Sequence, residues 1–454
     1  MAGNTVTTCR LVAGISFILC ARGAGAPPAA DRAILRVVSS MNGYSQPWGL
    51  IEGSPGVFYG SAKVAPSGLA AAYSITAQGA AITLTTFPVH YNINAPLVDG
   101  LNGLFYASVQ HILGSANVFS VGSAPGTVQV YANQTVAPLL SQNLPNGALL
   151  GIAADASNGN PYSLVTVDPS GVATPIHRFL GGDSTPSNVV YATDGNYYGV
   201  ASGNSTYVYR VTPSGAARTL FTFPAVPFPF AGMPPASLLQ ADDGDLYGVL
   251  PSGGTNGTGA VYKLTLAGQY TLLYSFPSGQ NGGPTALIEG SDGNLYGATQ
   301  GYVYGGTYGG YGLLFRVTKS GQYALLKSMD NGAVTGSCQC TLLLGSDGII
   351  YGTTTIGGKY GGGTVFALDA GLPKPKPRAM QFAPTSGAAG TAVRIWGYDL
   401  LSATVEFNSV PATTVSNSGP NYVFATVPPG ATTGPITVTT PGGTSTTHAS
   451  FTVQ

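Results

Sequence analysis

Side chains able to do acid–base work are few in this chain. Glu52, Glu289 and Glu406 are its only glutamates. Glycoside hydrolysis needs two carboxyl groups roughly 5–10 Å apart. Glu52 and Glu289 each precede a glycine, Gly53 and Gly290, at the same point of a repeat, which reads as a repeated structural role. Acids from different repeats can still meet at a shared centre. Asp194, Asp243, Asp292 and Asp347 each precede glycine. Calcium needs several clustered oxygens, and only Asp242-Asp243-Gly244-Asp245 offers three carboxylates in a row. Asn takes the Asp position at Asn102 and Asn146, as a hairpin turn allows and a calcium site would not. His90, His111 and His177 share no repeat position and no Ser-His-Asp arrangement. Cys338-Gln339-Cys340 has no second cysteine pair to make a zinc site. The glycines lie between strands rather than before helices, so no phosphate or dinucleotide loop is present. No catalytic residue, metal ligand or cofactor is assigned on these grounds. The binding candidates are Tyr302, Tyr304, Tyr308 and Tyr311, in a Gly/Tyr-rich loop. Their rings could stack on sugars or pack on a partner, against the plainer reading that tyrosine fills space between repeats.

The elements that must position these groups are strands. Only 7% of residues are charged and the formal net charge is zero, which argues against nucleic acid as a partner. Gly (66) and Pro (33) are plentiful while 44% of residues are hydrophobic, a composition of many turns around a real core. Residues 1–26 read as a signal peptide, with Arg10, an apolar Leu11–Cys20 and a small-residue exit at Ala24-Gly25-Ala26. That predicts export. No stretch is long enough to span a bilayer.

Seven units recur, anchored at Gly60, Ala107, Gly151, Gly199, Gly248, Gly297 and Gly352, with spacings of 47, 44, 48, 49, 49 and 55. Five residues before each anchor lies a turn pair, for example Asp292-Gly293 before Gly297. Third strands end alike, as at Ser320-Gly321. A period near fifty with four strands per unit predicts a seven-bladed β-propeller over 27–371. The seventh unit ends at Gly371 without a fourth strand, whereas Ile34–Ser39 is a strand without a unit. The prediction is that the N-terminal strand closes the last blade.

Leu372-Pro373-Lys374-Pro375-Lys376-Pro377-Arg378 reads as an extended linker, expected to be exposed and crossed by few contacts. Residues 379–454 alternate in short strands, among them Val393–Gly397 and Tyr422–Val427, and predict an immunoglobulin-like β-sandwich. The whole is therefore all-β.

The repeat resembles the secreted bacterial tandem-repeat family called GloVer, through Gly290–Gly297, Gly345–Thr353 with Gly363–Leu368, and Val261–Phe276. It is also similar to sensor-protein propeller repeats, but Tyr247, Tyr296 and Tyr351 stand where those have Trp and no kinase segment follows. Residues 379–454 look like an IPT/TIG domain, carried by Pro384–Gly387, Gly390–Gly397, Val405–Asn408 and Val427–Gly434. The resemblances imply export and surface attachment but no activity. The expectation is a monomeric, non-enzymatic binding or adhesion scaffold for glycan or protein at the cell surface. The alternative is a polysaccharide lyase or hydrolase with its site in the propeller funnel. Facing acids and bases in that funnel would favour the enzyme; a neutral or plugged funnel would favour the scaffold.

Overall fold

The computed structural model describes residues 33–88, 91–93, 95–100, 103–111, 116–126, 128–134, 138–154, 162–179, 185–202, 205–224, 237–277, 283–301, 303–304, 307–308, 312–329, 341–417 and 419–454. Every regular element among them is a β-strand. The segment read as a signal peptide, His90 and Cys338-Gln339-Cys340 lie outside the described residues.

The first six repeats are each an antiparallel sheet with its strands in sequence order, as in Pro284–Glu289, Leu295–Thr299, Leu313–Val317 and Tyr323–Ser328. The second unit carries an additional short strand, Tyr91–Ile93. The turn glycines after the first strands, from Gly56 (φ 72°) to Gly348 (φ 87°), all take positive φ, as do those after the third strands, from Gly79 (φ 93°) to Gly371 (φ 70°). L-residues reach that region only with strain, which is why glycine recurs there.

The anchor glycines recur for lack of space. Gly199, Gly248, Gly297 and Gly352 lie opposite Tyr209, Tyr262, Phe315 and Phe366 on the third strand. In each case a Cβ would run into that ring. The ring lies over its partner's bare backbone, so the sheet buries a large aromatic without being pushed open. Tyr209, Tyr262, Phe315 and Phe366 are all fully buried or nearly so.

Apolar cores form between units rather than within them. One cluster joins Tyr262 and Leu246 of the fifth unit to Tyr198 and Val208 of the fourth. Another joins Phe315 and Leu287 to Tyr247 and Phe276. The series continues from Tyr296 and Leu314 to Phe366 and Ile350, then from Tyr351 and Val365 to Phe58 and Tyr73 of the first unit. The innermost strands likewise touch in succession, and Leu342–Leu344 of the seventh lies against Tyr44–Ser54 of the first. Ile34–Ser39 pairs antiparallel with Thr364–Asp369 and completes the seventh sheet.

Residues 378–453 form two further sheets. One holds Arg378–Ala383, Ala392–Tyr398, Tyr422–Thr426 and Val415–Asn417; the other is built around Thr404–Phe407, Gly434–Thr440 and Gly443–Val453. They share a core of Val393, Ile395, Phe407, Val423, Ile436 and Phe451. Arg378, read from sequence as linker, already belongs to the first of these strands.

The Pro-rich segment differs from its expected exposure. Pro375 and Pro377 are buried, and Ser291 Oγ donates to the Pro373 carbonyl at 2.5 Å. The C-terminal sheets do not swing free. Trp396 Nε1 donates to Asn143 Oδ1 at 3.4 Å, the Tyr422 hydroxyl to the Leu144 carbonyl at 2.6 Å, and Asn421 Nδ2 to Asp99 Oδ1 at 2.9 Å. Trp396 also meets Tyr191 edge-on at 6.1 Å. Composition made the segment look like a spacer; these buried polar partners, remote in sequence, could not be read from it.

Candidate functional site

The turns that follow the innermost strands share one face. Four of them are built identically. Asp194, Asp243, Asp292 and Asp347 each accept the main-chain N–H two residues on through Oδ1. Through Oδ2 each accepts the hydroxyl of the tyrosine four residues on, at 2.7–2.9 Å. The carboxylates are spent on fixing the turn and the buried Tyr ring, as the hairpin reading expects. No cluster of three or more His, Cys, Asp or Glu able to hold a metal occurs among the described residues.

The residue ending the innermost strand ties neighbouring units together. Glu52 accepts from the Ser346 N–H at 2.7 Å and the Ser346 hydroxyl at 2.9 Å, across the junction of first and seventh units. Glu289 accepts from the Asp242 N–H at 2.8 Å and pairs with Lys319 at 2.6 Å. Gln240 accepts from the Thr193 N–H at 2.8 Å. Burial raises the pKa of both Glu52 and Glu289, opposed by these hydrogen bonds. Their shared position in the repeat thus has a structural cause.

Between this face and the C-terminal sheets lies a chamber of about 820 Å³. Its acids are Glu52, Asp242, Glu289, Asp347 and Asp399, and its cations are Lys374, Lys376 and Arg378. Arg378 pairs with Asp242 at 2.6 Å and stands over the Tyr398 ring at 5.7 Å. The C-terminal sheets are anchored on units two to four, through Asp99, Asn143, Leu144 and Tyr191, while the chamber opens over units one, five, six and seven.

Asp399 differs from the other chamber acids. It sits at φ 56° in the turn after Ala392–Tyr398. Burial pushes its carboxyl up to about 7; the Arg378 charge opposes this, and Asp242 and Glu52 add to it. Among the described residues its side chain makes none of the turn or inter-unit hydrogen bonds that occupy Glu52, Glu289 and Asp347. Lys374 and Lys376 are exposed. The arrangement offers one acid–base group titrating near neutrality beside fixed positive charge. Sequence reasoning did not single out Asp399: nothing local marks it, since its partners come from the roofing of one group of sheets by another.

The tyrosine loop lies at the opposite end of the strands, between Leu295–Thr299 and Leu313–Val317. Val303–Tyr304 and Thr307–Tyr308 pair as a short hairpin. Tyr302 and Tyr311 lie outside the described residues, as do the side chains of Tyr304 and Tyr308. His111 ends a strand and its side chain lies outside the described residues, while His177 Nδ1 bonds to the Gly215 carbonyl at 3.0 Å.

The sequence model for the Gloeobacter/Verrucomicrobia repeat matches residues 134–366. No curated protein matches the chain. Among solved structures, a fungal alcohol oxidase of the AA5 family in complex with copper is similar at 12% identity over 92% of this chain and 95% of that one, with a TM-score of 0.44. An oligogalacturonate lyase in complex with manganese is similar at 16% identity over 75% and 90%, with a TM-score of 0.49. A Mycobacterium tuberculosis puromycin-hydrolyzing peptidase is similar at 12% identity over 78% and 59%, with a TM-score of 0.49. These likenesses assign no activity to this chain.

Proposed function

Taking as premise that the chain belongs to the Gloeobacter/Verrucomicrobia repeat family, we propose that it is an exported polysaccharide lyase, built as a seven-bladed propeller with an IPT/TIG module over its funnel mouth. The observation that carries this reading is the chamber lining, where the half-buried Asp399 stands with Arg378, Lys374 and Lys376 and, among the described residues, outside the turn and inter-unit hydrogen bonds that hold Glu52, Glu289 and Asp347; burial raises its carboxyl, in keeping with that placement. The chamber's lining includes both acids and cations, which supports the enzyme reading over a neutral or plugged scaffold.

A hydrolase needs two available carboxyl groups. Here Glu52, Glu289 and Asp347 are committed to structural hydrogen bonds, and Asp242 to Arg378. One available acid–base group with several cations instead suits β-elimination from a polyuronate. The cations would neutralise the sugar carboxylate and so acidify the neighbouring C–H. Asp399 would take that proton, the C–H electron pair would form the double bond as the glycosidic C–O bond breaks, and the leaving oxygen would pick up a proton from solvent water. A base with a pKa near the working pH is matched to that task.

The test is to incubate the full chain with polyuronates and follow the ultraviolet absorbance of unsaturated product. Asp399→Asn should lower the rate by about 10²–10⁴-fold. Turnover unchanged by that substitution would remove Asp399 from the mechanism. Binding without cleavage would instead support a second reading, a non-catalytic glycan-binding scaffold. That reading is favoured by the amount of carboxylate consumed in joining the units.

A further inference from the structure

Next to the chamber lies a recess of about 280 Å³. Arg378, Tyr398 and the strand Leu238–Gln240 border both spaces. The rest of the recess wall comes from the third and fourth units and includes Ser141, Gln142, Asn188 and Thr193. These units anchor the C-terminal sheets. Gln142 adjoins Asn143, which accepts from Trp396, and the Tyr398 ring lies against Trp396 at 5.3 Å. The recess thus sits on the anchored side of the roof.

Its lining differs in chemistry from that of the chamber. Arg378 is its one charged group among the described residues, and none of the chamber acids borders it. The other polar groups are amides and hydroxyls. Gln240 is committed to the Thr193 N–H and hydroxyl and to the Gly244 carbonyl, so it serves as wall. Gln142 and Asn188 differ: no hydrogen bond occupies their side-chain amides among the described residues. Both belong to bulges, where the pairing register shifts between Leu140 and Gln142 and between Ser187 and Val189. A bulge re-aims the side chain it carries. Asn188 is exposed and sits at φ 30°, a backbone cost of the kind met at functional sites. The sixth unit also bulges here, between Pro284 and Ala286. The repeat therefore sets the backbone, whereas the amide at Asn188 is particular to the fourth unit.

Arg378 is held in place at the border. Its Nη1 pairs with Asp242 at 2.6 Å and its guanidinium stands over the Tyr398 ring at 5.7 Å. The Asp242 side chain is 64% exposed, so water screens this pair and an incoming anion can share or replace it. The guanidinium fork has further N–H donors to offer. Burial raises the Tyr398 hydroxyl to about 12 and keeps it uncharged. An inorganic anion would leave the two amides unused. One cation, several neutral donors and acceptors, and a volume at the lower end of small-ligand sites match a single sugar ring bearing one carboxylate.

We propose that the recess is a subsite for one hexuronate unit, with Arg378 on its carboxylate and Gln142 and Asn188 on its hydroxyls. The choice of a uronate rests on the lyase reading; the two amides make it a sugar site.

Titration calorimetry of the full chain with sodium D-galacturonate and sodium D-glucuronate tests the subsite, with D-galactose and sodium acetate as controls. The expected result is saturable binding of at least one uronate, at least tenfold tighter than either control. Gln142→Trp fills the recess and should abolish that binding. Asn188→Asp has the same shape and tolerates this backbone, but sets a negative charge beside the ligand. It should weaken uronate binding at least tenfold with cooperative unfolding unchanged, and it decides alone should Gln142→Trp fail to fold. No saturable uronate heat from wild type, acetate bound as tightly as uronate, or wild-type affinity in Asn188→Asp overturns the subsite. The two readings fail separately. Polyuronate cleavage by a chain that binds no monouronate removes the subsite and keeps the lyase. Monouronate binding that Asn188→Asp weakens, without polyuronate cleavage by wild type, keeps the subsite and removes the lyase.

Discussion

Gln240 occupies the repeat position held elsewhere by Glu52 and Glu289, and it makes the same bond to the preceding unit's turn. The chain thus contains its own control for the acid. What that position needs is an acceptor oxygen for a backbone N–H, not a negative charge. Glu289→Gln should therefore keep the bond to Asp242 N–H and lose only the pairing with Lys319, a partly exposed contact worth about 0–1 kcal/mol. Glu289→Ala should leave the N–H without its partner and cost about 1–3 kcal/mol. Chemical denaturation of the two variants measures the difference. If Glu289 were a catalytic acid, the glutamine variant would be the damaging one, and a large loss of turnover with full stability would show it.

At the scale of the element, one strand carries unusual weight. Ile34–Ser39 pairs with a strand more than 300 positions away, Ile34 facing Asp369, and it brings Val38 into the core shared by the first and seventh units. Removing residues 27–40 should expose the edge of Thr364–Asp369, a row of unpaired backbone groups open to association. The expected result is a lower melting temperature and aggregates on size exclusion; a monomer with unchanged melting would refute the closing role. This strand, the turn glycines and the anchor positions were legible in sequence because each is a local or repeated pattern; the third-strand rings that cover the anchor glycines emerged only from the register of the sheets. The roof was not. Trp396 and Asn143 are 253 positions apart, and no periodicity links them. Asp399 and Asp99 gain their unusual environments only from that contact, so reading the repeats alone led to the tyrosine loop instead.

For the whole molecule, the consequence of the roof is a set of acids held where ionisation is unfavourable. Asp99 and Asp399 are both raised to about 7, and Glu52 and Glu289 are raised as well. A carboxyl with a raised folded-state pKa stabilises the fold below its unfolded pKa. That contribution is lost as pH rises towards the folded value, and above it the effect is constant. Asp194 and Asp243 are shifted the other way: burial is outweighed by their tyrosine and turn hydrogen bonds, and for Asp243 by Lys319. Their stabilisation fails only as pH falls below the ordinary carboxylate range. Between about pH 4.5 and 7 the raised group therefore dominates, and stability should decline as pH increases, then level off. For Asp99, from 3.8 to about 7, the full effect is on the order of 4 kcal/mol. Asp99→Asn cannot ionise and keeps an acceptor for Asn143 and Asn421, so its melting temperature should vary less over this interval and exceed wild type at pH 8. A wild-type curve flat from pH 4.5 to 8, or one that Asp99→Asn leaves unaltered, would mean that the contact between the C-terminal sheets and the repeat units does not hold this carboxyl out of water.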